Sequence, residues 1–311
     1  SANGDIIAAP IQQDGKYGLS VNGTPWETLF DNANNVAMSS AGNATAAVVQ
    51  VKSPAQADIA AFQEGIFSVA VNGVAWDSIF VNCWAPTFDP AGKNVATTIR
   101  RSLYDYSVAV NGKAWTGSYA CAWGPVFNPA TGAVAAPVRK AGAWGMAIDD
   151  AMAWDIRYGQ LWHQAFSPDG SKLAAIAAVR FGDFTVVVDN TPWDIVFPVV
   201  TDLTPSPVGN RFAALASNHN TDFAILCDGK VWAGRYDMAY PPVWSPDAAH
   251  LAVTVEKAGR FTVVVDGKAY PESFDKCFAP AFSPDGSKVL IRAVAGGKYH
   301  RIVAPVAAFT G

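Results

Sequence analysis

Apolar and polar positions alternate along the chain in short runs, each closed by a turn signal, and two phrases return again and again. The first is an apolar run, a two-residue turn and a large ring. It reads VNGTPWE at 21–27, VNGVAWD at 71–77, VNGKAWT at 110–116, VDNTPWD at 188–194 and VDGKAYP at 265–271. The Asn-Gly and Asp-Gly pairs at 22–23, 72–73, 111–112, 228–229 and 266–267 are the favoured hairpin turn, whose twist matches its flanking strands. Asp149-Asp150 and Asp189-Asn190 hold the same place with weaker turn chemistry. The second phrase is a short strand, a Pro-Asp-Gly type of turn and an apolar run rich in Ala, Val and Ile. Examples are PTFDPAGKNVATTIR at 86–100, QAFSPDGSKLAAIAAVR at 164–180 and PAFSPDGSKVLIR at 280–292. The glycine there supplies the positive φ that such a turn requires.

Alignment on the hairpins places rings at Trp26, Trp76, Trp115, Trp154, Trp193, Trp232 and Tyr270, spaced 50, 39, 39, 39, 39 and 38 residues apart. The long first gap points to an insertion around residues 53–64. Four short strands in a repeat of about 40 residues are the signature of a propeller blade. The pattern therefore predicts an all-β chain, a seven-bladed β-propeller of four-stranded antiparallel blades forming a single domain over residues 1–311. The chain enters on the third strand of a blade, at 16–21, and the last clear strand, 288–294, is a second strand. Pairing of N- and C-terminal strands in one blade is thus expected to close the molecule without a bare sheet edge. The segment 298–304 could supply a further strand whose place the pattern does not fix.

Composition adds exclusions. Half of the residues are apolar and 15% are charged, which suits a well-buried globular protein. A net charge of −4 gives no electrostatic case for nucleic acid. No apolar run is long enough for a transmembrane helix. The opening SANGDIIAAP shows no basic region followed by an apolar one, as a secretory signal would. The cysteines (Cys83, Cys121, Cys227, Cys277) include no C-x-x-C pair, so a structural zinc or redox motif has no support. Cys83 and Cys277 share a repeat position and Cys121 is displaced from it by one residue. Their blades are too far apart for a disulfide, and they read as small buried residues. No haem-attachment or iron–sulfur spacing occurs, so no cofactor is expected on this chain.

Candidate chemistry is sparse. The histidines (His163, His219, His250, His300) and glutamates (Glu27, Glu64, Glu256, Glu272) fall at different repeat positions. No Gly-x-Ser-x-Gly elbow, phosphate loop or two-histidine metal helix appears. His163 stands just ahead of an inner strand, as either a hydrogen-bonded channel residue or a general base. The more informative positions lie four residues before the inner-strand rings Phe88, Phe127, Phe166, Trp244 and Phe282. There stand Trp84, Trp123, Trp162, Tyr240 and Phe278, while two units carry Asn34 and Thr201 instead. These five rings predict an incomplete aromatic collar. They could be wedges filling the gaps between blades, or they could be exposed anchors for a partner. Solvent exposure at Trp84, Trp123 and Trp162 separates the two readings. The hairpin rings recur in every unit and are expected to be structural.

The Trp-Asp pairs at 76–77, 154–155 and 193–194, with the Ser-Pro-Asp-Gly phrases, resemble the WD40 and TolB-type propellers over nearly the whole chain. The Gly-His dipeptide of WD40 repeats is missing. The Gly-x-x-Trp hairpins at 23–26, 73–76 and 112–115 resemble those of the tryptophan-rich D subunit of the transmembrane redox complex (Tmc) of sulfate-reducing bacteria. That resemblance implies a non-catalytic partner of cytochrome and iron–sulfur subunits, cytoplasmic and peripheral to the inner membrane, with a periplasmic location as the alternative. The expected function is a protein-interaction platform using Trp84, Trp123, Trp162, Tyr240 and Phe278. The rival is a small-ligand-binding or hydrolytic propeller with His163 and Asp202 at the channel mouth. No metal site and no catalytic residue are expected.

Overall fold

The structure, a computed structural model, describes residues 1–55, 58–219 and 221–309. The fold is all-β. The described residues form eight antiparallel sheets, each made from one consecutive stretch of chain. The chain divides into two compact units, Ser1–Arg157 and Tyr158–Gly311, with the first four sheets assigned to one and the last four to the other. The third sheet shows the plan. Asn82–Phe88 is its first strand, Val95–Ser102 its second, Asp105–Val110 its third and Lys113–Ala114 its fourth, paired in that order. This meander of four strands per repeat is the construction of a β-propeller blade.

Second strands are the most buried elements. Thr45–Gln50, Val95–Ser102 and Leu173–Arg180 are buried for most of their lengths and carry the Ala, Val and Ile runs of the second phrase. Both faces of these strands are covered, so apolar residues run continuously instead of alternating. Clusters form between consecutive sheets. Ala46, Val48 and Val69 of the second sheet meet Val95, Ile99 and Ala109 of the third.

The hairpin has two jobs. Its first turn residue sits at positive φ, and its side-chain oxygen accepts a hydrogen bond from the first backbone N–H of the second strand. This occurs at Asn72 with Thr45 (2.8 Å), Asn111 with Val95 (2.9 Å), Asp189 with Leu173 (2.9 Å) and Asp266 with Leu251 (2.9 Å). Where the next residue is Gly73 or Gly112, a neighbour lies against it. A Cβ at Gly73 would stand 3.1 Å from Trp26, and one at Gly112 would stand 3.2 Å from Trp76. Trp26, Trp76, Trp193 and Trp232 thus pack on the turn of the following hairpin. Where Asp150 replaces the glycine, its carboxylate instead accepts from Thr116 N–H (2.6 Å), Thr116 Oγ1 (2.6 Å) and Gly117 N–H (2.8 Å) of the preceding blade. The apparently weak Asp149-Asp150 turn is offset by that cradle.

The ends of the chain correct the expected closure. Lys16–Val21 is flanked by Ala8–Gln13 on one edge and Thr24–Pro25 on the other. Lys288–Ala295 is flanked by Lys276–Cys277 and Ala281–Phe282 on one edge and along its whole length by Lys298–Pro305 on the other. Each strand thus has both edges taken within its own sheet, which is not the pairing the pattern predicts. Eight sheets appear in place of seven blades closed in that way. Ala8–Gln13 escaped detection because it is a mostly exposed strand without apolar–polar alternation and carries Pro10, which only an edge strand tolerates. The insertion contains the helix Ile59–Glu64, capped by the Asp58 carboxylate accepting from Ala61 N–H (2.9 Å).

Candidate functional site

The collar position is built by a break in the first strand. In the third sheet Trp84 pairs with Thr98 but Thr87 pairs with Ala96, so one extra residue bulges between them. Ala85 takes a left-handed φ of 50° at that point. The same bulge follows Asn34, Trp162 and Thr201, with Asn35, His163 and Asp202 at φ of 50°, 52° and 53°. In the fourth, seventh and eighth sheets the first strand is cut in two. The gaps hold Gly124-Pro125, Pro241-Pro242 and Ala279-Pro280. Trp84, Trp123, Tyr240 and Phe278 therefore share a ring-x-Pro sequence. The proline lacks an N–H and cannot continue the ladder, and a bulge re-aims the side chain beside it.

Each collar ring is backed by a ring from the third strand of its own blade. Trp84 stacks on Tyr106 with centroids 5.8 Å apart, and Trp123 on Trp144 at 5.2 Å and 3° between planes. Trp162 meets Phe184 edge-on at 5.5 Å, Tyr240 meets Phe261 at 6.3 Å, and Phe278 meets Tyr299 at 6.4 Å. Such contacts fix the ring plane and contribute about 0.5–1.5 kcal/mol each beyond the area they bury. The backing rings were not singled out from sequence, although their own spacing near 39 residues carries the signal.

Exposure separates the five rings. Trp123 is 48% exposed, and Tyr240 and Phe278 are each 40% exposed. Trp84 is half-buried. Trp162, the one ring without the following proline, packs against a buried cluster that includes Ile176, Val200 and Phe212. Trp84 and Trp162 are alike in being half-buried, and Trp123 is the most exposed of the three on which the two readings turn. In the first unit, Trp84 and Trp123 lie on consecutive blades whose strands touch. Thr98 Oγ1 donates to the Trp123 carbonyl at 2.8 Å, and a Cβ on Gly124 would meet Ala85 at 3.4 Å. The second unit repeats this tie, with Thr254 Oγ1 donating to the Phe278 carbonyl at 3.1 Å. Lys276 Nζ lies 5.6 Å from the centre of the Phe278 ring, so that ring also offers a cation contact.

The two polar candidates occupy equivalent bulge positions in consecutive blades. His163 is exposed, and the Asp202 carboxylate accepts from Thr201 Oγ1 at 2.8 Å. Among the described residues no three His, Cys, Asp or Glu side chains converge on a metal-sized site. The cysteine beside Trp84 is buried, and burial pushes the Cys83 thiol up to about 12. Burial likewise pushes Cys277, beside Phe278, up to about 11. Both are protonated and poorly nucleophilic at neutral pH.

No family model matches the chain, and no curated protein matches it. Among solved structures, a eukaryotic initiation factor is similar in fold at 9% identity, with a TM-score of 0.57 over 95% of this chain and 85% of that one. The β-propeller domain of the Trilobed protease from Pyrococcus furiosus, described as having an open velcro topology, aligns at 10% identity and a TM-score of 0.41. That alignment covers 87% of this chain and 94% of the domain. TolB from Acinetobacter baumannii aligns at 14% identity and a TM-score of 0.34, over 72% of this chain and 60% of that one. At such identities the likeness concerns the fold alone. These comparisons lend no support to the resemblance to the Tmc D subunit. No helix among the described residues is long and apolar enough to cross a membrane.

Proposed function

We propose that the chain is a non-catalytic protein-interaction platform that holds its partner through the ring-x-Pro positions. The observation that carries this reading is Trp123, nearly half exposed yet locked in parallel contact with Trp144. An exposed tryptophan held rigidly loses little freedom on binding and buries a large area, which is what interface anchors do. Trp84 on the adjacent blade extends the patch in the first unit. Tyr240 and Phe278 repeat the arrangement in the second.

The partner class carried over from the sequence resemblance is a cytochrome or iron–sulfur subunit of a membrane redox complex, which would make the chain peripheral to the inner membrane. Affinity purification of the native protein under mild extraction tests both levels. Recovery of a stoichiometric partner that is lost with Trp123→Ser supports the platform. Recovery of a haem or iron–sulfur protein as that partner supports the redox assignment. A partner set indifferent to Trp84→Ser and Trp123→Ser removes the platform reading.

A further inference from the structure

A cavity of about 580 Å³ opens where the insertion breaks the repeat. Ile59 and Phe62 of the inserted helix form one wall, and Val81 and Leu103 of the third blade form another. Gln63 and Ser102 add polar groups, and Arg100 provides the cation. The apolar groups are conspicuously uncovered, with Ile59 67% and Leu103 73% exposed.

Arg100 is the unusual member. Its Nε is buried without a hydrogen-bond partner, and none of the ion pairs among the described residues includes it. Its neighbour Arg101 shows what a satisfied arginine looks like here. Arg101 grips the Asp105 carboxylate at 3.1 and 3.0 Å and donates to the carbonyls of Trp115 and Gly117 at 3.1 and 2.9 Å. Asp105 is thereby taken, and no carboxylate lines the cavity among the described residues. The acids flanking the inserted helix, Asp58 and Glu64, lie at its ends, with Asp58 engaged in capping it. The repeat supplies an internal reference as well. Arg139 pairs with Cys121 as Arg100 pairs with Asn82 in the preceding blade, yet Arg139 is exposed and no helix lies in its part of the sequence.

The Arg100 guanidinium, in no ion pair among the described residues, is the cation that an anion in the cavity would meet. We propose that this cavity binds a small organic anion with an apolar tail, an aliphatic carboxylate. The carboxylate takes two parallel hydrogen bonds from Arg100, the geometry guanidinium favours. The tail lies between Phe62, Ile59 and Leu103. The volume falls within the range of about 300–1,000 Å³ of small-molecule sites. This site shares no residue with the ring-x-Pro positions, so it stands or falls separately from the platform.

Calorimetric titration of the full chain with octanoate, acetate and 1-octanol tests the proposal. Octanoate is expected to saturate one site, with acetate (no tail) and 1-octanol (no charge) weaker by about tenfold or more. Arg100→Met should weaken octanoate by about 10- to 100-fold, the range of a lost charge-assisted pair. Arg139→Met should leave it unchanged. Phe62→Asp, a change on an exposed helix that leaves the blade core alone, should abolish binding even if Arg100→Met fails to fold. Absence of saturation by octanoate overturns the proposal, as does equal binding of 1-octanol or an unchanged affinity in Phe62→Asp.

Discussion

Each hairpin turn begins with an Asn or Asp because one residue must do two things there. It must tolerate a left-handed φ, which a short polar side chain does best among non-glycine residues, and it must supply the oxygen that receives the second strand's first N–H. Asn111 does both, at φ 48° and 2.9 Å from Val95 N, and its Nδ2 also donates to Asn94 at 2.8 Å. Asn111→Ala should therefore destabilise the protein by about 1–3 kcal/mol in chemical denaturation, more than an average surface change. The turn itself was legible from Asn-Gly in the sequence. The capping bond was not, because it joins residues 16 apart whose contact exists only once the blade has formed. The same limit hid the Asp150 cradle, which makes a poor turn sequence workable through the preceding blade.

At the scale of the element, the 39-residue period made most strands readable, since turns, apolar runs and rings recur in register. Of the hairpin rings, Trp26, Trp115 and Trp154 are buried, as a structural role requires. Trp26 is buried, its indole N–H donates to Thr45 Oγ1 at 3.1 Å, and its ring lies on Gly73. Trp26→Ala should cost about 3–5 kcal/mol. Gly112→Ala should also destabilise, since φ of +82° strains any side chain and the methyl would press against Trp76 at 3.2 Å. If Gly112→Ala melts with the wild type, the packing of Trp76 on the turn of the following hairpin is wrong. The first strands were harder to read. Ring-x-Pro stands in the sequence at 84–86, 123–125, 240–242 and 278–280, but its meaning depends on the bulge, and a bulge is invisible without the partner strand. The cavity at Arg100 was beyond reach for a further reason. It joins an insertion near residue 59 to a strand near residue 100, and no repeat links them.

At the scale of the whole molecule, a repeated polar turn ties stability to pH. Asp285 accepts from Ser283 and Ser287, and these bonds hold its carboxyl down to about 2. Asp169 is lowered by Ser167 and Ser171, and Asp247 by Ser245 and the Ala249 N–H. A carboxyl lower in the folded than in the unfolded chain stabilises the fold above the unfolded value, near 4. That contribution is lost as pH falls through the folded value. The melting temperature should accordingly drop between about pH 4 and pH 2. An Asp169→Asn, Asp247→Asn, Asp285→Asn variant should show a shallower drop over that window. An identical slope would mean that these turns do not carry the acid sensitivity.

The proposed platform holds its protein partner through rigid, exposed rings at the ring-x-Pro positions. Equilibrium binding of the co-purified partner to wild-type chain and to Trp123→Ala tests it most directly, with unchanged circular dichroism confirming the fold. Loss of an anchor tryptophan typically costs about 2 kcal/mol or more, so the dissociation constant should rise by about tenfold or more. A constant within about twofold of the wild-type value, a difference below about 0.5 kcal/mol, would contradict it.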